Sequence, residues 1–337
     1  MLQYLKNIAD MSRSNAIPIL AYVKLDGERA VGTDLDMLLE VPCSVDGLSA
    51  PLAVPLAPLL KLKDPSLSDE GDDKLTARQD GLTLKLDTLP AEDFPVLQAD
   101  GFRANIDGDG LLDAFRRLAP CISISEMRYY LNGVYLDAHG GEFHAVATDN
   151  HKFGRIKIGT AVPDGMPDNH VIIPRKAIQT LLRIGSDIES VDIAQAYIRF
   201  HLDGGAILTT KLIVADYIDY RRVLTEPAGN HLALGRNELL KACKDVKKLN
   251  LGGRAVTLRL EAERVTLRQQ SHDGAVETSM VADWQGQDGF EIAFDVNYLI
   301  ELLSLLDGTK AFFEIRGHRE PVSVGKTYVL MPALKEG

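Results

Sequence analysis

The segment YLNGVYLDAHGGEFHAVATDNHKFGRI (130–156) decides the fold. Runs of alternating apolar and polar residues flank a Gly-Gly pair, and a Thr-Asp-Asn-His stretch precedes a further run. Such alternation fits strands with one buried face, joined by glycine-containing turns. An earlier segment, IPILAYVKLDGERAVGTDLDMLLEV (17–41), follows the same plan, with Thr33-Asp34 where the later one has Thr148-Asp149. A pattern recurring at roughly 100–110 residues, the size of a small domain, signals an internal repeat.

Other pieces recur in the same order. AVPLAPLLKL (53–62) matches IIPRKAIQTLL (172–182) and AFDVNYLIELL (293–303), while AEDFPVL (91–97) matches DYIDYRRVL (216–224). Helical periodicity occurs in three pairs: 2–11 with 56–63, 111–122 with 174–184, and 237–249 with 296–306. Each has apolar residues at i, i+3, i+4 and i+7, and Pro174 suits a first helical turn. Strand patterns lie at 81–89, 197–212 and 256–270. The expected class is α+β, with three repeated domains of two helices packed on antiparallel sheets. Their intervals are 1–100, 101–228 and 229–337, with boundaries at Asp100 and at 226–231, where polar, Gly and Pro residues gather. The acidic run DPSLSDEGDDK (64–74) reads as a solvated loop.

The 337 residues, 45% apolar and 25% charged, have the balance of a globular protein. No apolar run approaches the ~18–20 residues that span a bilayer, so the expected location is cytoplasmic, with no membrane partner. Cys43, Cys121 and Cys243 lie far apart without metal-ligand spacing, which argues against zinc and a disulfide framework. No metal or other cofactor is expected. A net charge of −11 disfavours nucleic-acid binding unless cations are segregated. They are unevenly placed: Arg116, Arg117, Arg175, Lys176, Arg183, Arg236, Lys241, Lys244, Lys247 and Lys248 all lie in helical stretches. Helices sharing one face would make that face basic; ordinary solvated helix faces are the alternative. Asp149, His151 and Cys121 could form an acid–base–nucleophile group, but no GxSxG, Walker, HExxH or paired-carboxylate signature accompanies them. His139, His144 and His151 lack the order of a metal site.

Taken together, MRYYLNG (127–133), VATDNHKF (146–153), IIPRKAI (172–178), TKLIVADYIDYRRVL (210–224), FDVNYLIELLSLL (294–306) and YVLMPALK (328–335) resemble the bacterial DNA polymerase III β subunit, the sliding clamp family. IPIL (17–20), GTDLDM (32–37) and TLPAEDFPVL (88–97) extend the resemblance over nearly the whole chain. It implies a non-catalytic processivity factor in DNA replication. Two subunits of three alike domains would close head to tail around duplex DNA, helices inward, as a pseudo-sixfold ring. Partners would be DNA without sequence preference, and the polymerase III alpha subunit and clamp loader through short peptide motifs.

Carried over by motif, the peptide pocket is Leu131, Thr148, Asn150, His151, Lys152, Phe153, Ile218, Arg222, Val223, Val329, Leu330, Met331 and Pro332. DNA contacts are expected from Arg13, Arg116, Arg117, Arg128, Tyr130, Arg175, Lys176, Lys241, Lys244 and Lys248. For the ring interface, Leu84 and Leu86 are paired with Leu249 and Leu251. The chain resembles a divergent member. It opens almost at the family's first helix, without the strand that normally precedes it. Ile218 replaces the usual proline, Asn150 glycine and Phe153 leucine, and ALKEG follows Met331-Pro332. The alternative reading is a monomeric, clamp-like peptide-binding module, or a specialised clamp, that competes for or sequesters replication and repair partners.

Overall fold

A computed structural model of the chain describes residues 2–9, 17–71, 73–139, 141–159, 162–166, 171–224, 230–249, 251–272 and 274–333. Arg13 lies outside them. Contacts divide the chain into two compact units: Met1–Arg116, Gly133–Phe143 and Ile158–Asp216 form the first, and Arg117–Asn132, His144–Lys157 and Tyr217–Gly337 the second.

The first unit is built on a nine-stranded antiparallel sheet. Its order is Leu89–Pro90, Leu52–Pro55, Tyr22–Leu25, Arg29–Thr33, Met37–Pro42, Ala206–Lys211, Tyr197–Leu202, Ile188–Ile193 and Ala104–Asp107. Alternation is plain in Tyr197–Leu202, where every second residue is buried, as a strand with one core face requires. Met37 to Glu40 pair with Thr210 to Ile207. This joins backbone of the first and second sequence intervals in one ladder, which is why contacts within the unit run across the boundary at 100. Phe115 and Phe200, both fully buried, meet edge to face at 6.1 Å.

Three further strands, Ser66–Asp69, Lys74–Gln79 and Leu82–Asp87, form a separate sheet with Leu82–Asp87 at its edge. The acidic run is therefore not simply a loop. Ser66–Asp69 is a strand whose Leu67 is buried, and Glu70 in the turn pairs with Arg78.

In the second unit, the sheet begins with the parts of Glu142–Thr148 and Lys152–Gly159 that belong to it. It continues through Tyr328–Leu330, Val322–Val324, Lys310–Glu314, His231–Gly235, Gly274–Trp284, Arg264–Ser271, Ala255–Glu261 and Phe290–Asp295.

The helices are α1 (Leu56–Leu59), α2 (Leu111–Leu118), α3 (Arg175–Ile184), α4 (Arg236–Leu249) and α5 (Val296–Leu305). α4 and α5 pack together through apolar stripes, Leu239, Ala242, Cys243 and Val246 on one, Val296, Leu299, Leu302 and Leu303 on the other. Asp295 caps α5 by accepting from Asn297 N at 2.7 Å. The sequence expectation is corrected in the first interval. Leu2–Asn7 is a 3-10 helix and α1 is a single turn, because periodicity alone does not supply the length that makes a helix cooperative. None of the helices among the described residues is long and apolar enough to cross a membrane.

The Thr-Asp repeat has a physical basis. Thr33 Oγ1 donates to Met37 O (2.7 Å) and accepts from Leu35 N (3.1 Å), while Asp34 Oδ1 accepts from Asp36 N (3.1 Å) and Met37 N (2.7 Å). Thr148 Oγ1 donates to Lys152 O (2.7 Å) and accepts from Asn150 N (3.1 Å), and Asp149 Oδ1 accepts from His151 N (2.9 Å) and Lys152 N (2.7 Å). The two turns are wired alike, donor for donor. Each places its third residue in the left-handed region, Leu35 at φ 77° and Asn150 at φ 73°. Asparagine tolerates that conformation; leucine is strained in it. We expect Leu35→Gly to raise the stability of the chain by roughly 0.5–1 kcal/mol and Asn150→Ala to lower it by a similar amount. Urea unfolding midpoints test this, and a lower midpoint for Leu35→Gly would remove the strain from the account.

Candidate functional site

The second Thr-Asp turn leads the strand Lys152–Gly159 onto Tyr328–Leu330. Lys152 lies opposite Leu330, Phe153 opposite Val329 and Gly154 opposite Tyr328. Met331 N donates to His151 O at 2.9 Å, which extends the junction past the end of the strand. Directly opposed residues share a face, and faces alternate along the strand. Phe153 and Val329 therefore point to one side, and Lys152, Gly154, Tyr328 and Leu330 to the other. Gly154 is required by close packing: a Cβ there would lie 2.7 Å from Leu118 and 3.3 Å from the Tyr328 ring.

On the first side, the Phe153 ring stacks on Tyr220 at 5.4 Å and 27°. Tyr220 opens the 3-10 turn Tyr220–Val223, and the Arg221 guanidinium lies 5.0 Å from its ring centroid. Arg222 is exposed and pairs with Asp219 at 3.1 Å. Beside this stack is a cleft of about 540 Å³, lined among others by Phe153, Leu224, Val329, Arg155, Lys157 and Lys326.

On the other side, the buried Lys152 ammonium lies 2.5 Å from Glu301 Oε2 and 3.4 Å from Asp149 Oδ2. Burial alone would lower its pKa, but the hydrogen bond to Glu301 and the charges of Asp149 and Glu301 outweigh burial and raise it. The same ammonium lies 4.5 Å over the Tyr298 ring, and His151 stacks on that ring at 5.5 Å. Tyr298 and Glu301, three apart on α5, thus share the helix face that holds the turn. Neither was singled out from the sequence. Both sat within the motif FDVNYLIELLSLL, and only the fold reveals that this face meets the turn.

The expected pocket residues differ in exposure. Leu131, Thr148, Lys152, Phe153, Val329 and Leu330 are buried; Ile218, Val223, Met331 and Pro332 are half-buried; Asn150, His151 and Arg222 are exposed. The chemistry of the Asp149–His151–Cys121 group is committed elsewhere. Asp149 holds the turn and neighbours Lys152, and burial pushes the Cys121 thiol up to about 12, far from a thiolate at neutral pH.

Among the expected DNA contacts, Arg128, Lys244 and Lys248 are exposed, and Tyr130 and Arg175 are half-buried. Arg116 pairs with Asp113 (3.3 Å), Arg117 with Asp307 (3.4 Å), Lys176 with Asp34 (2.5 Å) and Lys241 with Asp245 (2.6 Å). Of the expected interface residues, Leu249 is exposed at the end of α4, Leu251 and Leu84 are half-buried, and Leu86 is buried within its own sheet. Leu82, on the same edge strand, is exposed.

Comparison with known proteins agrees with these features. Residues 105–219 match the central domain of the DNA polymerase III beta subunit, and residues 221–329 its C-terminal domain. The beta sliding clamp of Caulobacter vibrioides (strain NA1000 / CB15N) is 32% identical over 355 residues, covering 96% of this chain and 94% of the relative. That of Escherichia coli (strain K12) is 31% identical over 247 residues, covering 70% and 65%. The solved sliding clamp of Bartonella birtlesii, bound to griselimycin, superimposes with a TM-score of 0.88 at 27% identity, covering 99% of this chain and 96% of that one. The Caulobacter crescentus clamp gives 0.84 at 30% identity, covering 99% and 97%. The chain belongs to the family of bacterial DNA polymerase III beta subunits, the beta sliding clamps.

Proposed function

We propose that this DNA sliding clamp of replication, a tether rather than an enzyme, works as a head-to-tail homodimer of three-domain chains (1–100, 101–228, 229–337) that encircles duplex DNA. A closed ring makes retention topological, so each phosphate contact can be weak. The helix cations support this reading. Their pairs with Asp113, Asp307 and Asp245 are solvent-accessible and therefore weak, so phosphates can replace the carboxylates at little cost. Arg128 and Tyr130, beside the buried Leu131, supply further DNA contact in this reading. Ring closure would use the edge strand Leu82–Asp87, which pairs on one side only among the described residues and so is a template for another chain, with the exposed Leu82 and half-buried Leu84 at the open end of the face that Leu86 shares. Leu249 and Leu251 would face it from the partner.

The observation that carries partner binding is the junction of Lys152–Gly154 with Tyr328–Leu330. In this reading its buried members would form a floor, with the half-buried Ile218, Val223, Met331 and Pro332 around it. Peptide motifs of the polymerase alpha subunit and the clamp loader would lay apolar side chains there, within a rim of Asn150, His151 and Arg222. Met331 suits a wall that must adapt to several ligands.

Light scattering is expected to return twice the 36.9 kDa of one chain, and clamp loaded on circular DNA should be lost when the circle is cut. A monomer at micromolar concentration, with equal retention on linear DNA, would favour the sequestering peptide-binding module instead. The Lys152 pair gives a second test. Glu301→Ala leaves a buried ammonium short of its nearest acceptor and should cost about 1–3 kcal/mol, whereas Lys152→Met, which removes the charge itself, should cost less. Urea unfolding of both variants decides it; equal losses would mean that the pair is not the reason for the cost.

A further inference from the structure

The cleft beside Phe153 carries charge as well as apolar surface. Phe153, Arg155 and Lys157 are alternate residues of one strand, so their side chains share a face, spaced ~7 Å apart. The first wall of the cleft is apolar, Phe153 with Leu224 and Val329; the strand then continues into Arg155 and Lys157, with Lys326 across from them. Lys157 and Lys326 are exposed, and Arg155, half-buried, donates from Nη2 to His144 Nδ1 at 3.3 Å, which fixes its direction. Glu314 is the one acid among the described lining residues. In a chain of net charge −11, a cleft with this excess of cations is a local inversion of sign.

The spacing matches an extended ligand. In an extended peptide, residues i, i+2 and i+4 also share a side at ~7 Å intervals. We propose that partner peptides bind here extended, an apolar anchor beside Phe153 and acidic side chains at the second and fourth positions from it, meeting Arg155, Lys157 and Lys326. An acidic peptide fits better than a phosphate backbone because the cleft starts at an apolar wall and contains Glu314. This inference rests on the pocket reading above and adds a charged subsite and a register to it.

The test is fluorescence anisotropy of the full chain with labelled peptides. One set is Gly-Ser-Phe-Ser-Glu-Ser-Glu-Ser and its reversed sequence; the controls replace both Glu by Gln, shift both Glu by one position, or replace Phe by Gly. The Glu peptide, in one of the two directions, should bind about fivefold or more tightly than its Gln control, an advantage that shrinks at high salt. Lys157→Gln with Lys326→Gln, both exposed positions, should cut the advantage to about twofold, the share of Arg155, while leaving the Gln peptide's affinity unchanged. Equal binding of the Glu, Gln and shifted peptides, with loss only for the Phe→Gly peptide, overturns the subsite and leaves the pocket standing. Displacement of the peptide by short duplex DNA, with no preference for Glu over Gln, assigns the cations to phosphate and also overturns it. Absence of binding by every peptide sinks the pocket and the subsite together.

Discussion

Lys152, Phe153 and Gly154 pair with Leu330, Val329 and Tyr328, and Met37 to Glu40 pair with Thr210 to Ile207. In each case the two strands come from different intervals of the repeat, so backbone hydrogen bonds sew one interval to the next. Such pairing satisfies the exposed edges that isolated domains would otherwise present. It also brings together residues far apart in sequence, at the entropic cost of closing long loops. The candidate site depends on this junction directly. Without it, Phe153 and Val329 would not share a face, and Met331 would have no reason to follow His151.

The turns before the junctions make the pairing possible. Thr148 and Asp149 hold four groups of their own backbone, as Thr33 and Asp34 do, and each turn ends where the next strand begins to pair. A threonine and an aspartate are well suited to this, because short side chains with acceptor oxygens reach backbone N–H groups two and three residues on. Asp149, read as a catalytic acid, would have lost this role; as a turn former it needs no reactive neighbour.

Much of this was legible in the sequence. The strand alternation at 197–212 and 256–270 and the helices α2 to α5 follow from local periodicity, and the Thr-Asp match pointed to turns that prove to be wired alike. What was not legible is non-local. The sequence reads as three repeats, but contacts group the chain into two units, because strand pairs bridge the expected boundaries. Tyr298 and Glu301 look like any residues on an apolar helix until that helix is placed against Lys152. Leu82, Leu84 and Leu86 share one face of the edge strand, yet that face is open at Leu82 and covered at Leu86. Periodicity tells which residues share a face, not what the face meets.

The departures from the family pattern at the site have different physical weights. Asn150, where the resemblance implies glycine, occupies φ 73°, a conformation that asparagine adopts with little strain, so the turn keeps its shape and carries an exposed side chain. Phe153, where leucine is usual, is another matter. Its ring is already stacked on Tyr220 and only 4% exposed, so most of the added bulk is packed within the protein and only a small part of it lines the cleft. An aromatic pair of this kind is worth ~0.5–1.5 kcal/mol beyond its buried area, and it stiffens the wall it forms. Stiffness at Phe153, with the half-buried Met331 free to adjust, would divide the proposed site into a fixed wall and a yielding one. In the proposed pocket, discrimination among ligands would then fall to the groups around the fixed wall, the cations of the same strand among them.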